Sequence, residues 1–202
     1  MSITMYDEGR GPERSVVLDL LAAAFQDDPV VAWLFPDPVE RRRLQPAYYA
    51  GLLAQPTAEA YLTTAGDGVA VWLELSAGQV PFGDPPGGDA GPDPLAVFGP
   101  HAERLRHLGG LLAERHSHAE QHLYLACIGV RPDRRGSGLG SALLRHRLAQ
   151  PDAENLPAYL EASSARSRDL YLQHGFEDLG TPVQLPDGPL LWPMWRSATS
   201  TR

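Results

Sequence analysis

Two cations and three alternating glycines stand together in Arg134-Arg135-Gly136-Ser137-Gly138-Leu139-Gly140. Glycine enters backbone conformations that other residues avoid and lets a ligand approach with no Cβ in the way. Ahead of this loop runs an apolar stretch, His122 to Val130, short enough for a buried strand. Behind it, Ser141 to Gln150 has helical spacing, with Leu139, Ala142 and Leu143 on one face and Leu144 above Leu148. Pro151 is expected to stop that helix. Strand, tight turn and helix leave the first helical N–H groups without internal partners, at the positive end of the dipole. Such a junction suits a pyrophosphate. The residues expected to hold it are Arg135, Gly136, Ser137, Gly138, Leu139, Gly140 and Ser141.

Two common phosphate loops are excluded. The P-loop needs Gly-Lys-Ser/Thr at its end, which is absent. The dinucleotide fingerprint would place its third glycine where Ser141 stands, and no βαβ unit opens the chain. Arg135 to Gly140 does fit R-x-x-G-x-G. A second chemical group follows. Glu161 is out of place in the apolar strand expected at 157–162, and Tyr171 lies on the next helix, capped by Ser163 or Ser164 and stopped at Gly175.

With Val130 and Pro132 ahead of it, the glycine loop resembles the coenzyme A loop of the GCN5-related N-acetyltransferases, the GNAT superfamily. Leu160-Glu161-Ala162-Ser163-Ser164 followed by Leu170-Tyr171-Leu172-Gln173-His174-Gly175-Phe176 resembles that family's other hallmark. The resemblance covers about Pro12 to Arg196. Leu21-Ala22-Ala23-Ala24-Phe25, Leu160-Glu161, Tyr171 and Pro186-Asp187-Gly188-Pro189 with Trp192 are similar to the puromycin N-acetyltransferase-like members.

The resemblance implies an α/β (α+β) GNAT fold: a mixed, mostly antiparallel central sheet flanked by helices and splayed at its central strands. It implies acetyl-CoA as cosubstrate and direct transfer to a primary amine. Backbone groups of Ile128 and Val130 would pair with the pantetheine arm, and Gly129 would form the bulge that splays the strands. The Ile128 backbone is the candidate donor to the carbonyl oxygen. Tyr171 would protonate the leaving thiolate; a thiol titrates near about 8.5 and a phenol near about 10. Glu161 or His122 would be the general base, and Glu161 could equally bind a substrate cation. Ser167 stands where close relatives often carry asparagine, on the same helix face as Tyr171. Asp27, Asp28, Trp33 and Phe35 would touch the acceptor, with a core role as the other reading of Trp33 and Phe35.

Composition narrows the class. Hydrophobic content of 43% and charged content of 21% over 202 residues fit one soluble domain, its core at about 12–196 with a tail from Ser197. A net charge of −8 argues against a nucleic-acid partner and is compatible with a cationic amine. No apolar run of about 18 residues exists to span a membrane. Residues 1–10 lack the apolar centre of a secretory signal, so a cytoplasmic location is expected. The single cysteine, Cys127, cannot form an internal disulfide and reads as a small core residue. His101, His107, His116, His118 and His122 cluster in sequence, but no cysteine or acidic set completes a metal site, so no metal is expected. Monomer and homodimer both stay open. So do two other readings: acetylation of a protein N-terminus or lysine, and a non-catalytic acyl-CoA sensor.

The remaining elements follow from periodicity. Helices are expected at Pro12 to Phe25, at Arg41 to Leu53 despite Pro46, and at His101 to His118. Asp27-Asp28-Pro29 breaks the first, and Val30 to Phe35 is a short apolar turn. Glu59 to Thr64 and Val69 to Leu75 pair as strands around Asp67-Gly68. Ser76 to Pro100 is a long surface loop rich in Gly and Pro. Phe176 to Leu179, Val183 to Leu185 and Leu190 to Arg196 complete the strands.

Overall fold

The computed structural model describes residues 2–6, 14–81, 93–116 and 120–198, the side chains of 150–154 excepted. Pro12, His118, residues 82–92 of the glycine- and proline-rich stretch and the last four residues therefore lie outside the described residues. In chain order come β1 (Ile3–Met5), α1 (Arg14–Phe25), α2 (Pro29–Leu34), α3 (Pro38–Leu53), β2 (Ala58–Thr63) and β3 (Gly68–Leu75). A 3-10 turn (Ala96–His101) leads into α4 (Ala102–Arg115) and β4 (His122–Val130). Then follow α5 (Leu139–Glu154), β5 (Ala158–Ala162), α6 (Ala165–Leu172), β6 (Glu177–Asp178), β7 (Val183–Gln184) and β8 (Leu190–Arg196).

The strands form a sheet in the order β1-β2-β3-β4-β5-β8-β6, with β7 also on β8. Every pairing is antiparallel except β4 with β5. That parallel pair touches only at Leu123↔Ala158 and Tyr124↔Tyr159. Beyond Tyr124, β4 stays with β3 while β5 stays with β8, so the sheet opens between them. The mostly antiparallel, splayed sheet expected above is present.

The bulge is not where it was expected. Gly129 pairs regularly with Val69; the register slips where Cys127 faces Val71 and Leu125 faces Trp72, leaving Ala126 as the extra residue. Gly129 has another role. A Cβ there would stand 2.7 Å from Ala24 Cβ and 3.0 Å from Phe25 Cε2, so its bare backbone lets the end of α1 close onto β4. α1 buries Val17, Leu20, Leu21 and Ala24, while Val16 faces outward.

Two Asp-Pro pairs act as helix starts as well as stops. Asp28 Oδ1 accepts from the Val30 and Val31 amides at 2.9 and 3.1 Å, and Asp37 Oδ1 from Val39 and Glu40 at 2.9 and 2.8 Å. Each proline fills the first helical position, where no N–H is needed. The break read at Asp27-Asp28-Pro29 is thus also the cap of α2, and Val30 to Phe35 is mostly helix. Pro151 does not end α5, which continues to Glu154; a proline in a last turn removes only one backbone bond. The helix read from His101 begins with a 3-10 turn, whose Phe98 is buried against Phe35, centroids 5.9 Å apart.

Candidate active site

The opening between β4 and β5 leads into a cavity of about 860 Å³. Its two ends are built differently. At one end β4 runs into the glycine loop and α5. The Arg131 amide donates to the Asp67 carbonyl at 2.9 Å, toward β3. Backbone groups alternate along an antiparallel strand, so Gly129 shares that direction while Ile128 and Val130 present theirs to the gap. Gly136 and Gly138 turn the loop at φ of 81° and 83°, a region that side-chain-bearing residues rarely enter. The first bond inside α5 is Ala142 N–H to Gly138 C=O at 3.0 Å. The amides of Leu139, Gly140 and Ser141 precede it, and all three residues line the cavity. Gly140 also lets α5 meet α6: a Cβ there would lie 3.3 Å from Leu170 Cδ2.

The polar side chains of this end are largely engaged with the protein. Arg135 Nη2 donates to the Ala24 carbonyl at 2.8 Å, bracing the last turn of α1. Arg134 pairs with Asp67 at 3.2 Å. Ser137 Oγ donates to the Arg134 carbonyl at 2.6 Å, and Ser141 Oγ meets His174 Nε2 at 3.0 Å. Ser167 Oγ accepts from the Ser164 amide at 3.1 Å in a reciprocal cap of α6, so its hydroxyl is committed there although the residue borders the cavity. What this end leaves to a ligand is mainly backbone N–H groups, with Arg134 and Arg135 adding positive charge at the rim.

The other end is made of side chains. Glu161, near the end of β5, points into the cavity; Tyr124 Oη donates to its Oε2 at 2.9 Å. Oε1 is buried with no hydrogen-bond partner among the described residues. Burial pushes the Glu161 carboxyl up to about 7, against the hydrogen bond from Tyr124; the Tyr159 hydroxyl lies near enough to oppose the rise but completes no hydrogen bond to Oε1. Asp28 joins α2 to the β5–α6 corner through Ser163 Oγ, which donates to Oδ2 at 2.6 Å. Its carboxyl is also raised, because burial outweighs that bond, the two helix amides and the Arg135 charge. Asp27 stands beside it on the cavity wall. Tyr171 of α6 lines the cavity, packed edge-on to Phe176 at 6.0 Å. Burial, then the charges of Cys127 and Asp28, hold its phenol above the ordinary range, so it stays protonated.

Four expected site residues do not line the cavity: Ser137, whose hydroxyl is turned to the Arg134 carbonyl, and His122, Phe35 and Trp33. His122 is fully buried and does not line the cavity. It lies at the closed end of β4 opposite Leu75, donating Nδ1–H to the Glu120 carbonyl at 2.8 Å with Nε2 2.9 Å from His116 Nε2. It cannot reach an acceptor there, which leaves Glu161 as the base candidate. Phe35 is fully buried in the cluster under α2, α3 and α4. Trp33 is a brace: Nε1 donates to the Pro186 carbonyl at 2.8 Å, Arg104 covers the ring at 5.4 Å, and Gly188 sits so close that a Cβ would come 2.5 Å from Cδ1. Cys127 packs against the core cluster, as expected, and also borders the cavity. Burial pushes its thiol up to about 12, so it is no nucleophile. Among the described residues no three His, Cys, Asp or Glu side chains converge on a metal position.

Sequence reasoning passed over Tyr48, Tyr49, Tyr124 and Ser163, which line the cavity, and the apolar wall from α4. Tyrosines in amphipathic elements carry no local mark of function. Only the pairing of Tyr124 with Tyr159 brings the strands' polar tips to Glu161.

Residues 102–178 match the acetyltransferase (GNAT) domain model. The whole chain superposes on a Corynebacterium glutamicum structure described as histone acetyltransferase HPA2 and related acetyltransferase, at 26% identity and TM-score 0.67, covering 100% of each chain. It is similar in fold to arylalkylamine N-acetyltransferase 2 from Aedes aegypti, with 14% identity, TM-score 0.62 and coverage of 98% and 99%. The ribosomal-protein-S18-alanine N-acetyltransferase of Escherichia coli shares the fold at 15% identity and TM-score 0.57, covering 100% of this chain and 96% of that one. Domain match and fold make this chain an acetyl-CoA-dependent N-acetyltransferase with the GNAT fold, its matched domain at residues 102–178.

Proposed function

We propose that this chain transfers acetyl from acetyl-CoA to the primary amine of a small molecule by direct attack, within a single domain. The observation that carries the reading is Glu161: a carboxylate raised to about 7, with one buried oxygen unpartnered among the described residues, in the same cavity as the glycine loop. A group titrating near neutrality is suited to take a proton from an ammonium and release it again. The cavity fits the cosubstrate: Gly136, Gly138 and the free amides at the start of α5 would hold the pyrophosphate, and the Ile128 and Val130 backbone the pantetheine arm. Bound there, acetyl-CoA supplies the activated acetyl group.

The chain's own groups divide the remaining work. Glu161 Oε1 takes the amine proton. The Ile128 amide is the donor for a carbonyl oxygen gaining charge. Tyr171 Oη holds a proton for a departing thiolate. Asp28, with Asp27 beside it, adds negative potential that favours a cationic acceptor. The Asp28–Ser163 and Trp33–Pro186 ties join the walls of the acceptor end and speak against an extended protein substrate. An amino-bearing antibiotic such as puromycin is one acceptor of this class, and a cytoplasmic site of action fits the cosubstrate.

The test is thiol release from acetyl-CoA across a panel of amines, puromycin and short peptides with free N-termini among them. Amine-dependent release is expected. Calorimetric binding of acetyl-CoA with no release on any amine would instead make the chain an acyl-CoA sensor.

A further inference from the structure

The acceptor end of the cavity has an apolar wall that the chemistry above does not use. Val31 and Leu34 of α2, Leu108 and Leu112 of α4 and Leu191 of β8 line it. All but Leu112 are buried in one cluster, with Leu112 packed at its edge. α4, the helix between β3 and β4, is fastened in place. Arg104 donates to the Trp33 carbonyl, His101 Nε2 meets Glu40 at 3.1 Å, and Arg115 reaches Thr181 Oγ1 at 3.1 Å. A wall held this way is a fixed surface.

We infer that the acceptor is a primary amine with a compact apolar body, the ammonium at Glu161 Oε1 and the body against Leu108 and Leu112. This rests on the transferase reading and names its substrate class. Charge complementarity fixes the orientation. The carboxylates bordering the cavity are Glu161, Asp28 and Asp27, its cations are Arg134 and Arg135 of the glycine loop and Arg166 of α6, and α2, α4 and β8 present no charged side chain to it. Tyr49 Oη is a second buried polar atom without a hydrogen-bond partner among the described residues, on a residue that also lines the cavity. It offers one hydrogen bond to a polar substituent on the acceptor. A polyamine or a peptide would carry polar groups onto the leucine wall and leave them without partners there.

The test is a series of straight-chain primary amines from ethylamine to hexylamine, with phenethylamine, spermidine and a tetrapeptide, assayed by thiol release. kcat/KM is expected to rise about three- to fourfold per methylene until the wall is filled. Phenethylamine should exceed spermidine and the tetrapeptide by tenfold or more. Leu112→Trp fills the wall and should cut the hexylamine-to-ethylamine ratio about tenfold; Leu112→Ala enlarges it and should move the optimum to longer chains. A flat series, a ratio insensitive to both variants, or a preference for spermidine or the tetrapeptide would overturn the inference while thiol release itself continued. Release with no amine at all would sink the transferase reading instead.

Discussion

The two ends of the cavity offer a ligand different kinds of group. The end proposed for the cofactor is built mainly from one continuous stretch, 128–141, with Ser167 of α6 at its border, and offers backbone N–H groups held by glycine geometry. The acceptor end draws on α1, α2, α3, α4, β5 and β8 and offers carboxylates, phenols and leucines. Backbone donors do not change when side chains change, so the first end suits one invariant ligand, a diphosphate on a thiol arm. The second end is all side chain, and each substitution there alters charge, shape or proton affinity. Variants at the two ends should therefore separate: some should change turnover or acceptor KM with acetyl-CoA affinity kept, others the reverse.

The largest separation is expected at Glu161. Glu161→Gln keeps the shape and removes the base, so kcat should fall about 10²–10⁴-fold with acetyl-CoA affinity by calorimetry within about twofold. In the unsubstituted chain kcat/KM should climb tenfold per pH unit and level off above about 7, where Glu161 ionises. The same variant should be the more stable protein at high pH. The Glu161 carboxyl lies at about 7 in the fold against an ordinary value of 4.5. The folded state therefore holds its proton more tightly. The resulting stability is full below about 4.5 and lost as pH rises through about 7, roughly 3 kcal/mol at the outside. Glu161→Gln should raise Tm at pH 8 and leave it nearly unchanged at pH 4. Equal Tm values at pH 8 would show that Glu161 is better solvated than the fold implies.

Tyr171 stands where the two ends meet. Tyr171→Phe keeps the ring packed on Phe176 and removes only the proton donor. A fall in kcat of about 10²-fold with unchanged acetyl-CoA affinity is expected. A large affinity loss with kcat intact would move Tyr171 wholly to the cofactor end.

Legibility in the sequence follows the same division. The strand His122 to Val130, the loop and the helix after it are contiguous, so motif and periodicity disclosed them together; the splayed sheet was legible only through the family resemblance that these residues carry. Glu161 was visible as a charge inside an apolar strand. His122 was misplaced because strand position alone does not say how far along β4 the sheet opens; only the short pairing with β5 does. The Gly129 bulge was misread because a glycine in a strand marks close approach as readily as a bulge. α4's wall was invisible, since Leu108 and Leu112 meet Val31 and Leu191 only through tertiary packing.

A smaller effect tests the cofactor end alone. Gly138 has open space around it, so the cost of Gly138→Ala is purely the backbone at φ 83°. Leaving that left-handed conformation is worth about 1–2 kcal/mol, enough to weaken acetyl-CoA binding roughly tenfold. Acceptor KM at saturating acetyl-CoA should stay within about twofold. A shift in acceptor KM as large as the loss in affinity would mean that the ends are mechanically coupled, and Arg135, which ties the loop to the last turn of α1, would be the link.

The smallest effect is expected at the tie between α2 and the β5–α6 corner. Ser163→Ala removes one hydrogen bond to Asp28 Oδ2 and leaves the two amide bonds at Oδ1 in place. A hydrogen bond to a partly buried carboxylate contributes about 1–2 kcal/mol, so Tm should fall by a few degrees. The Asp28 carboxyl, already raised by burial, loses the side-chain bond that most opposes the rise and should titrate higher still. With less negative charge beside the amine, acceptor KM should increase about two- to fivefold, the more so the lower the pH, because protonation of Asp28 removes that charge. Acetyl-CoA affinity should not move, because no atom of this tie belongs to the stretch 128–141. A loss of acetyl-CoA affinity here would join the two ends into one responsive unit, with Asp28, through its field on Arg135, carrying the signal between them.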